Sequence, residues 1–444
     1  MSDITFSPRL SEDVTRLAEV RSDRSGWLPE GEPRGVIRVT EAGEISEVLR
    51  WASTAGVPVV TRGAGSGLAG GATAGSDAVV LDLGGLDRIL EIDPVNQIAV
   101  VEPGVITADL DRAAAAHGLR YAPDPGSVEI STIGGNIATN AGGLRGAKYG
   151  VTRDAVLGLD VVLADGSTLS TGGRTLKGVA GYDLTSLFVG SEGTLGVIAQ
   201  ATLRLRPIPV RTATLSAFFA SVGDAAEAVN ALIAARIEPS TLELIDGATL
   251  AAIDAAEGTD FRTRGAAFVL IQTDGYGAAE ELDAAIAILA PHALVLERTD
   301  DPGEAERLTR ARRLALPSVE RLGRVLIEDI AVPRSRLADA IERIGEIARR
   351  RQTRIFVFAH AGDGNLHPII LLEDGTIDDT ATAAAGDIFA LALELGGTLT
   401  GEHGIGVLKR AWIRDELGET SHDLHLAIKS LLDPHNILNP GKAI

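Results

Sequence analysis

The segment RGAGSGLAGG, residues 62–71, decides between two folds for the first half of this chain. It directly follows a short apolar strand, and Gly65, Gly67 and Gly70 satisfy the G-x-G-x-x-G pattern of a Rossmann turn. A Rossmann turn requires a helix that starts inside the motif, with its N-terminus facing a pyrophosphate. Here GATAGSD follows, and another apolar strand starts at Ala78. The sequence therefore predicts that the helix is missing.

A run of small residues without a helix can still hold a diphosphate, because successive backbone N–H groups can point at it. Arg62 is a possible charge partner, and a merely flexible loop is the alternative for this segment alone. Two further segments dense in glycine favour the cradle: PDPGSVEISTIGGNIATNAGGLRGAKYG, residues 123–150, and FVGSEGTLGVI, residues 188–198. Short apolar runs alternate with these turns up to Pro209, which predicts mixed α and β structure.

Composition excludes several classes of protein. A chain of 444 residues has room for about three domains on a scale of ~150 residues each. Its 41 Lys+Arg against 61 Asp+Glu give a formal charge of -20, which argues against binding nucleic acid. The absence of cysteine excludes disulfides, cysteine-ligated clusters and a cysteinyl flavin. MSDITFSPRL lacks the features of a signal peptide and no apolar run reaches ~20 residues, so we expect a soluble, cytoplasmic protein without a transmembrane segment.

The second half of the chain repeats a βαββαβ pattern, which is that of a ferredoxin-like unit. The first copy is predicted as strand 213–219, helix 224–236, strands 240–245 and 266–273, helix 278–290 and strand 293–297. The second is predicted as strand 324–331, helix 335–351, strands 354–360 and 367–372, helix 380–395 and strand 397–400. Two such units predict one helix-backed antiparallel sheet. A further helix is expected over residues 406–432.

Three histidines fall in two short motifs, AHAGDGNLHP at residues 359–368 and TGEHGIG at residues 400–406. His360 ends one predicted strand and His367 begins the next, so a tight turn can bring both imidazoles to one side of a hairpin. With Glu402 they make a common open metal set, which leaves positions for substrate oxygens. The adjacent His403 is expected to point elsewhere. A purely structural role for two histidines at strand ends is the alternative.

These segments, in this order and spacing, resemble the FAD domain of the vanillyl-alcohol oxidase (PCMH-type) superfamily followed by its FAD-linked oxidase C-terminal domain. Within it they are most similar to the flavin subunit of glycolate oxidase and to D-lactate and D-2-hydroxyglutarate dehydrogenases. The resemblance implies an α+β chain with a PCMH-type FAD-binding domain and a substrate (cap) domain. The expected limits are an N-terminal segment 1–31, the FAD-binding domain 32–210, the substrate and metal domain 211–420, and a helix and tail 421–444 that return to the FAD domain.

The resemblance also implies which residues bind the cofactor. The loop expected to wrap the pyrophosphate is Arg62, Gly63, Ala64, Gly65, Ser66, Gly67 and Leu68. The residues expected along the ribityl chain and ring are Ser127, Thr132, Gly135, Asn136, Asn140 and Gly142. Glu192 and Ile198 are expected near the adenine, and Asn439 in the closing NPGK. Because the first loop has no histidine and the chain has no cysteine, the FAD is expected to be non-covalent.

By the same resemblance His360, His367 and Glu402 hold a divalent metal (Zn, Mn or Fe), while His403 is the base. The metal then fixes the 2-hydroxyl and a carboxylate oxygen of a 2-hydroxy acid, and the C2 hydride passes to flavin N5. Arg312 is expected to bind the substrate carboxylate, although its neighbour Arg313 leaves the register open by one residue.

Two aliphatic residues predict the size of the substrate. Hydroxyglutarate-type relatives carry a threonine and a lysine for a second carboxylate where this chain has Leu316 and Ile327. An unpaired buried carboxylate is costly, so we expect a small monocarboxylate of the glycolate or D-lactate type. A separate electron acceptor is expected, either an iron–sulfur subunit, a quinone or a carrier flavoprotein, and a homodimer is left open. The alternatives are a D-2-hydroxyglutarate-type dehydrogenase, a metal-dependent hydrolase and a non-catalytic flavin carrier.

Overall fold

The computed structural model describes residues 10–444, which form two compact units. The first unit runs to Gly142 and continues with Gly150–Ile208 and Glu402–Ile444, and the second consists of Gly143–Tyr149 and Pro209–Gly401. These limits differ from the expected domains because residues 402–420 group with the first unit and residues 143–149 with the second. Of the expected N-terminal segment, residues 1–9 lie outside the described residues.

Short strands and helices alternate up to residue 208. In chain order they are β1 (Leu10–Ser11), α1 (Val14–Arg21), β2 (Gly35–Arg38), α2 (Ala42–Ala55), β3 (Val59–Arg62), β4 (Val79–Asp82), β5 (Ile89–Asp93), β6 (Ile98–Val101), α3 (Thr107–Ala115), β7 (Leu119–Arg120), α4 (Ile133–Thr139), α5 (Gly146–Tyr149), α6 (Thr152–Ala155), β8 (Val156–Val162), β9 (Thr168–Gly172), α7 (Leu184–Phe188), β10 (Val197–Arg204) and β11 (Arg206–Pro207). Helix α2 ends where Gly56 adopts a left-handed conformation, φ 63°, and its N–H donates to Ala52 O.

Two sheets form the framework of the first unit. Strands β2, β4 and β3 pair in parallel, with β1 added antiparallel at the edge. The second sheet has the order β5-β6-β10-β8-β9 and is antiparallel throughout. Between β3 and β4 the loop of residues 63–78 contains no helix, as the sequence predicts. The Rossmann alternative is therefore excluded.

The remaining elements follow from residue 212. They are β12 (Thr212–Phe219), α8 (Val222–Ala234), β13 (Thr241–Asp246), α9 (Gly247–Glu257), α10 (Phe261–Arg264), β14 (Ala267–Asp274), α11 (Ala278–Leu289), β15 (Ala293–Thr299), α12 (Pro302–Glu320), β16 (Val325–Ile327), β17 (Ile330–Ala331), α13 (Leu337–Arg351), β18 (Ile355–His360), β19 (Asn365–Leu371), α14 (Asp379–Glu394) and α15 (Ile413–Leu432), with 3₁₀ turns at Arg334–Arg336 and Arg410–Trp412. No helix in the described part of the chain combines the length and apolar character needed to cross a membrane.

One antiparallel sheet organises the second unit, in the order β15-β12-β14-β13-β18-β19-β16, with β17 also paired to β19. The two predicted βαββαβ units meet where β13 pairs with β18. Helices α9 and α12 pack on the sheet face that carries Phe218, Ile245 and Phe358. The intervening residues of the central strands are buried too, so both faces are covered. The prediction of a helix-backed antiparallel sheet within an α+β chain is confirmed.

Three predicted elements differ from the structure. The strand expected at 397–400 is reduced to a single bridge between Ala331 and Thr398, because Gly397 approaches the Ala331 carbonyl too closely for any side chain. The strand expected at 324–331 is interrupted between β16 and β17. The helix expected from 406 begins only at Ile413, since the N–H groups of Val407 and Leu408 both donate to Ala69 O instead of to a preceding turn.

Candidate active site

The glycine loop after β3 is shaped by close contacts that exclude side chains. A Cβ on Gly63 would collide with Thr132 Oγ1, and a Cβ on Gly65, where φ is 70°, would collide with the Arg62 guanidinium. Gly63, Gly104 and Thr132 border a cleft of about 540 Å³ in the first unit. Part of the cleft wall is therefore glycine-rich loop, where backbone N–H groups can approach a diphosphate. The residues fit a dinucleotide.

Arg62 makes this loop rather than lying free beside it. Its guanidinium is buried and donates to the carbonyl oxygens of Ser22 at 2.9 Å, Ala72 at 3.2 Å and Val20 at 3.3 Å. Burial lowers the pKa of Arg62, which the Asp23 charge partly offsets. Holding the loop to helix α1 is what this side chain does here, and its role as charge partner of a pyrophosphate stays a prediction.

The second glycine segment is built around helix α4. Thr132 caps the helix by accepting from Gly135 N at 3.3 Å, and Asn136 donates through Nδ2 to Thr107 Oγ1 at 2.7 Å. Asn140 ends the helix in a left-handed conformation, and its Oδ1 accepts from Arg153 N at 2.9 Å. The Ser127 carbonyl accepts from the amides of residues 130 and 131, both at 2.8 Å. These residues therefore fix the local structure of the second glycine segment, and their contacts with a flavin stay a prediction.

Glu192 anchors the segment that follows His403. The carboxylate is buried and accepts from Ile405 N at 2.7 Å and Gly406 N at 2.8 Å. Burial raises the pKa of Glu192, although the two amides pull it back. The predicted position of Glu192 near the adenine stays a prediction. The structure shows that Glu192 contacts the TGEHGIG motif. Ile198, expected in the same region, is packed in the core of the second sheet.

The closing tail returns to the first unit. Asn439 N donates to Val59 O at 2.9 Å, and Asn439 Nδ2 donates to Glu192 O at 2.7 Å and Gly71 O at 3.0 Å. Lys442 Nζ donates to Gly71 O at 3.0 Å and to Asn439 Oδ1 at 2.7 Å. The tail is thus tied to the glycine loop and to the Glu192 turn together.

Glu402 and His403 lie in the first unit beside Gly142. A Cβ on Gly142 would collide with the Glu402 carboxylate, so this glycine allows the acid to approach the second glycine segment. His403 Nε2 lies 3.9 Å from Glu402 Oε1, and both side chains retain some exposure, 15% and 13%. The acid and the candidate base are therefore neighbours with separate directions.

His360 and His367 form a pair in the second unit. His367 lies opposite Phe358 across β18 and β19, so its side chain shares a sheet face with His360, two residues along. The two rings meet edge to face with centroids 5.0 Å apart, and both residues are buried. The tight hairpin predicted from AGDGN is confirmed by this pairing. Two buried imidazoles this close fit a shared metal ion.

Two buried carboxylates hold the surroundings of this pair. Glu243 is on β13, and its Oε1 lies 2.6 Å from His360 Nδ1. Asp329, in the break between β16 and β17, accepts from Asn365 Nδ2 and from Thr400 Oγ1, each at 2.6 Å. Sequence reasoning missed both acids. The available signal was an acid placed among apolar residues, Glu243 in TLELID and Asp329 in VLIEDIAV.

Arg312 projects from α12 onto the same sheet face. Its guanidinium lies 4.3 Å from the centre of the Phe358 ring, and Nε donates to Glu243 Oε2 at 2.5 Å. Arg313 instead is exposed and donates to Thr309 Oγ1 on its own helix. The neighbouring Leu316 and Ile327 pack against the same apolar cluster as Phe358. Of the two arginines, Arg312 is therefore the one at the histidine pair.

Comparison with known proteins defines the class. The model of FAD linked oxidases, C-terminal domain, matches residues 208–443, and that of an FAD binding domain matches residues 33–172. The chain belongs to the FAD-linked oxidase family and is an FAD-dependent oxidoreductase.

Individual relatives cover nearly the whole chain. The glycolate oxidase subunit GlcD of Bacillus subtilis (strain 168) is 45% identical over 416 residues, which are 92% of this chain and 88% of the relative. The D-lactate dehydrogenase of Archaeoglobus fulgidus is 36% identical over 412 residues, 92% of this chain and 91% of the relative.

Solved structures share the fold at low identity. p-Cresol methylhydroxylase with bound substrate matches with a TM-score of 0.81 and 17% identity, over 98% of this chain and 93% of its own. The isoeugenol complex of 4-ethylphenol oxidase from Gulosibacter chungangensis matches with a TM-score of 0.79 and 20% identity, over 98% and 94%. They confirm the PCMH-type fold that the sequence predicted.

Proposed function

We propose that this enzyme oxidises a short 2-hydroxy monocarboxylic acid to the 2-oxo acid, with a divalent metal assisting and non-covalent FAD as the oxidant. The observation that carries the proposal is the cluster on one sheet face of the second unit: two buried imidazoles beside an arginine that stacks on Phe358. An arginine next to a candidate metal pair is suited to a substrate that offers both a carboxylate and an oxygen ligand.

The proposed metal ligands are His360, His367 and Glu402. Gly401 supports the third member, because it lies against the Asn365 side chain and Asp329, and Glu402 is the next residue along the chain. Consecutive Cα atoms are about 3.8 Å apart, so Glu402 begins close to the hairpin that carries both histidines. Two histidines and a carboxylate suit zinc, manganese or iron, with positions left for substrate oxygens.

The proposed roles of the side chains follow from their chemistry. Arg312 binds the substrate carboxylate, and His403 accepts the proton of the 2-hydroxyl. When bound, FAD takes up the hydride from C2, and the metal stabilises charge on the substrate oxygens. Leu316 and Ile327 line the cluster with apolar surface and would leave a second carboxylate without a partner.

Two relatives support the substrate class, since their names state glycolate oxidase and D-lactate dehydrogenase activities. The first is named a subunit, which supports a separate component that takes electrons from the flavin, of the iron–sulfur, quinone or carrier flavoprotein kind. Non-covalent FAD is supported by Gly65-Ser66-Gly67, where no histidine is present, and by the absence of cysteine. Acid denaturation should release all flavin into the supernatant.

The test is anaerobic reduction of the bound flavin by a panel of D- and L-2-hydroxy acids, followed at the flavin absorbance maximum. Glycolate or D-lactate should bleach the flavin within minutes of mixing. The 2-oxo acid should appear in an amount equal to that of the reduced flavin. A flavin that no 2-hydroxy acid reduces, in a protein with full FAD content, would contradict the proposal.

A further inference from the structure

Glu243 occupies an unusual position for an acid. It lies in the central strand β13, directly opposite His360 on β18, and its side chain is fully buried. Its neighbours on the same face of this sheet include Ile245 and Phe358. A charge placed among such residues is costly unless its partners replace the lost water. The partners of Glu243 therefore determine whether the charge is tolerated.

Each oxygen of Glu243 holds a different functional side chain. Oε1 lies 2.6 Å from His360 Nδ1, and Oε2 accepts from Arg312 Nε at 2.5 Å. One carboxylate thus joins a proposed metal ligand to the proposed substrate-binding arginine.

The contact with His360 determines which ring nitrogen can coordinate. With Nδ1–H directed at the carboxylate, Nε2 is the atom that presents a lone pair to a metal. Such a carboxylate also fixes the ring orientation and increases the basicity of the ligand, and its loss typically lowers metal affinity by about 10- to 100-fold.

The contact with Arg312 determines how the guanidinium is aimed. Arg312 Nε donates to Glu243, and the plane of the guanidinium lies over the Phe358 ring. These two contacts together restrict the rotation of the Arg312 side chain. Among the described residues, Arg312 makes its hydrogen bond through Nε and not through either terminal nitrogen. The two Nη groups are therefore the ones that can meet a carboxylate in the paired geometry that arginine favours.

We propose that Glu243 is a positioning residue that holds His360 and Arg312 in one arrangement, so that metal binding and recognition of the substrate carboxylate depend on the same side chain. This inference rests on the proposed function of the site. A substitution of Glu243 should therefore change both metal affinity and recognition of the substrate carboxylate. A substitution of His360 should change the first, and one of Arg312 the second.

The test compares Glu243→Gln, Glu243→Asp and Arg312→Lys with wild type as FAD-loaded, full-length protein. The first readout is affinity for Zn²⁺ in competition with a chromophoric chelator, and the second is KM for D-lactate or glycolate, whichever reduces the flavin. Glu243→Gln should weaken Zn²⁺ binding by roughly 10-fold or more and also raise KM by roughly 10-fold. Arg312→Lys should raise KM and leave Zn²⁺ affinity within about twofold.

Asp246→Asn is the matched control. Asp246 is another acid of β13 and is half-buried, but it caps α9 by accepting from Thr249 N at 2.8 Å. Asparagine is an equally good cap, so both readouts should stay at wild-type values. Glu243→Asp keeps the charge but withdraws it from both partners, and it should lie between wild type and Glu243→Gln.

A measurement on the unaltered protein covers the case in which the Glu243 variants do not fold. In ¹⁵N-histidine-labelled wild type loaded with Cd²⁺, His360, assigned with His360→Gln, should carry its proton on Nδ1 and the metal on Nε2. Coordination through Nδ1, or Glu243→Gln with wild-type Zn²⁺ affinity and KM, would overturn the inference while leaving the proposed function intact. A wild-type protein that is reduced by no 2-hydroxy acid and binds no metal would overturn both.

Discussion

Glu243 in the second unit and Glu192 in the first are both buried acids with two hydrogen-bond donors, yet they behave in opposite ways. Glu243 is paired with the side chains of His360 and Arg312, and its pKa lies below the usual value despite burial. Glu192 is paired with the backbone amides of Ile405 and Gly406, and burial raises its pKa. The Arg312 guanidinium supplies a full charge to Glu243, whereas the two amides supply only dipoles to Glu192. Glu243 therefore holds two side chains in place, and Glu192 holds a loop.

The largest effect is expected at His403, which directly precedes the segment that Glu192 binds. His403→Ala should slow anaerobic flavin reduction by about 10²-fold or more, because the base for the hydroxyl proton is lost, while FAD and metal contents remain. Stopped-flow reduction measures the step, and metal analysis accompanies it. The exposed His425 provides the control, and His425→Gln should reduce the flavin at the wild-type rate. Loss of metal with a surviving hydride step would exchange the roles of base and ligand.

Glu192→Gln tests whether the hydrogen bonds from Ile405 N and Gly406 N to Glu192 contribute to stability and turnover. The amide NH₂ would face one of the two N–H donors and leave it unsatisfied, which should lower the free energy of unfolding by about 1–3 kcal/mol. The shifted loop should also slow turnover by roughly tenfold. Urea unfolding and steady-state assays measure the two effects.

Glu102→Gln is the matched variant for Glu192→Gln, since Glu102 is another buried acid of the first unit, which binds Arg88 N at 2.8 Å and its guanidinium. It should lose stability without the tenfold fall in turnover. Equal turnover losses in both variants would mean that the Glu192 contact has no specific role.

Much of the fold around these two acids could be predicted from the sequence. The missing helix after Gly70, the two glycine segments and the His360–His367 hairpin follow from local patterns, because turn residues and strand periodicity act over a few residues. The partners of Glu192 and Glu243 did not follow. Each acid contacts groups far along the chain, 213 residues for Ile405 and 117 for His360, and no local pattern encodes such a pairing.

The predicted strand at 397–400 and helix start at 406 were wrong for a related reason. In the first case Gly397 lies against the carbonyl of Ala331, and in the second the carbonyl of Ala69 accepts from the N–H groups at the expected helix start. Asn136 is predicted to line the flavin, and its hydrogen bond from α4 to Thr107 at the start of α3 could be seen only in the structure.

A smaller effect is expected for substrate choice in the second unit. The double variant Leu316→Thr with Ile327→Lys should raise kcat/KM for D-2-hydroxyglutarate relative to D-lactate by roughly fivefold, as a partly exposed ion pair is worth up to about 1 kcal/mol. Competition in steady-state turnover with an artificial acceptor measures the ratio. A wild-type enzyme that already prefers D-2-hydroxyglutarate to every monocarboxylate would contradict the assignment of this pocket.

The smallest effect concerns Lys442 in the tail beside Glu192. Burial lowers the pKa of Lys442 to about 7 from 10.5, which the charges of Asp23 and Glu192 partly offset. Between these values the unfolded chain binds a proton that the folded chain does not, so the free energy of unfolding should rise with pH, by at most about 1.4 kcal/mol per unit. Urea unfolding at pH 7.5, 8.5 and 9.5 with saturating FAD measures it. Lys442→Met should lack this contribution, and identical slopes would show that Lys442 stays charged.

The most direct test of the proposed chemistry is single-turnover reduction of the flavin by D-lactate or glycolate before and after removal of the metal. Chelation followed by gel filtration should leave FAD content unchanged and slow reduction by at least about tenfold, and added Zn²⁺ or Mn²⁺ should restore the original rate. A metal-free protein with full FAD that is reduced at the original rate would contradict the account.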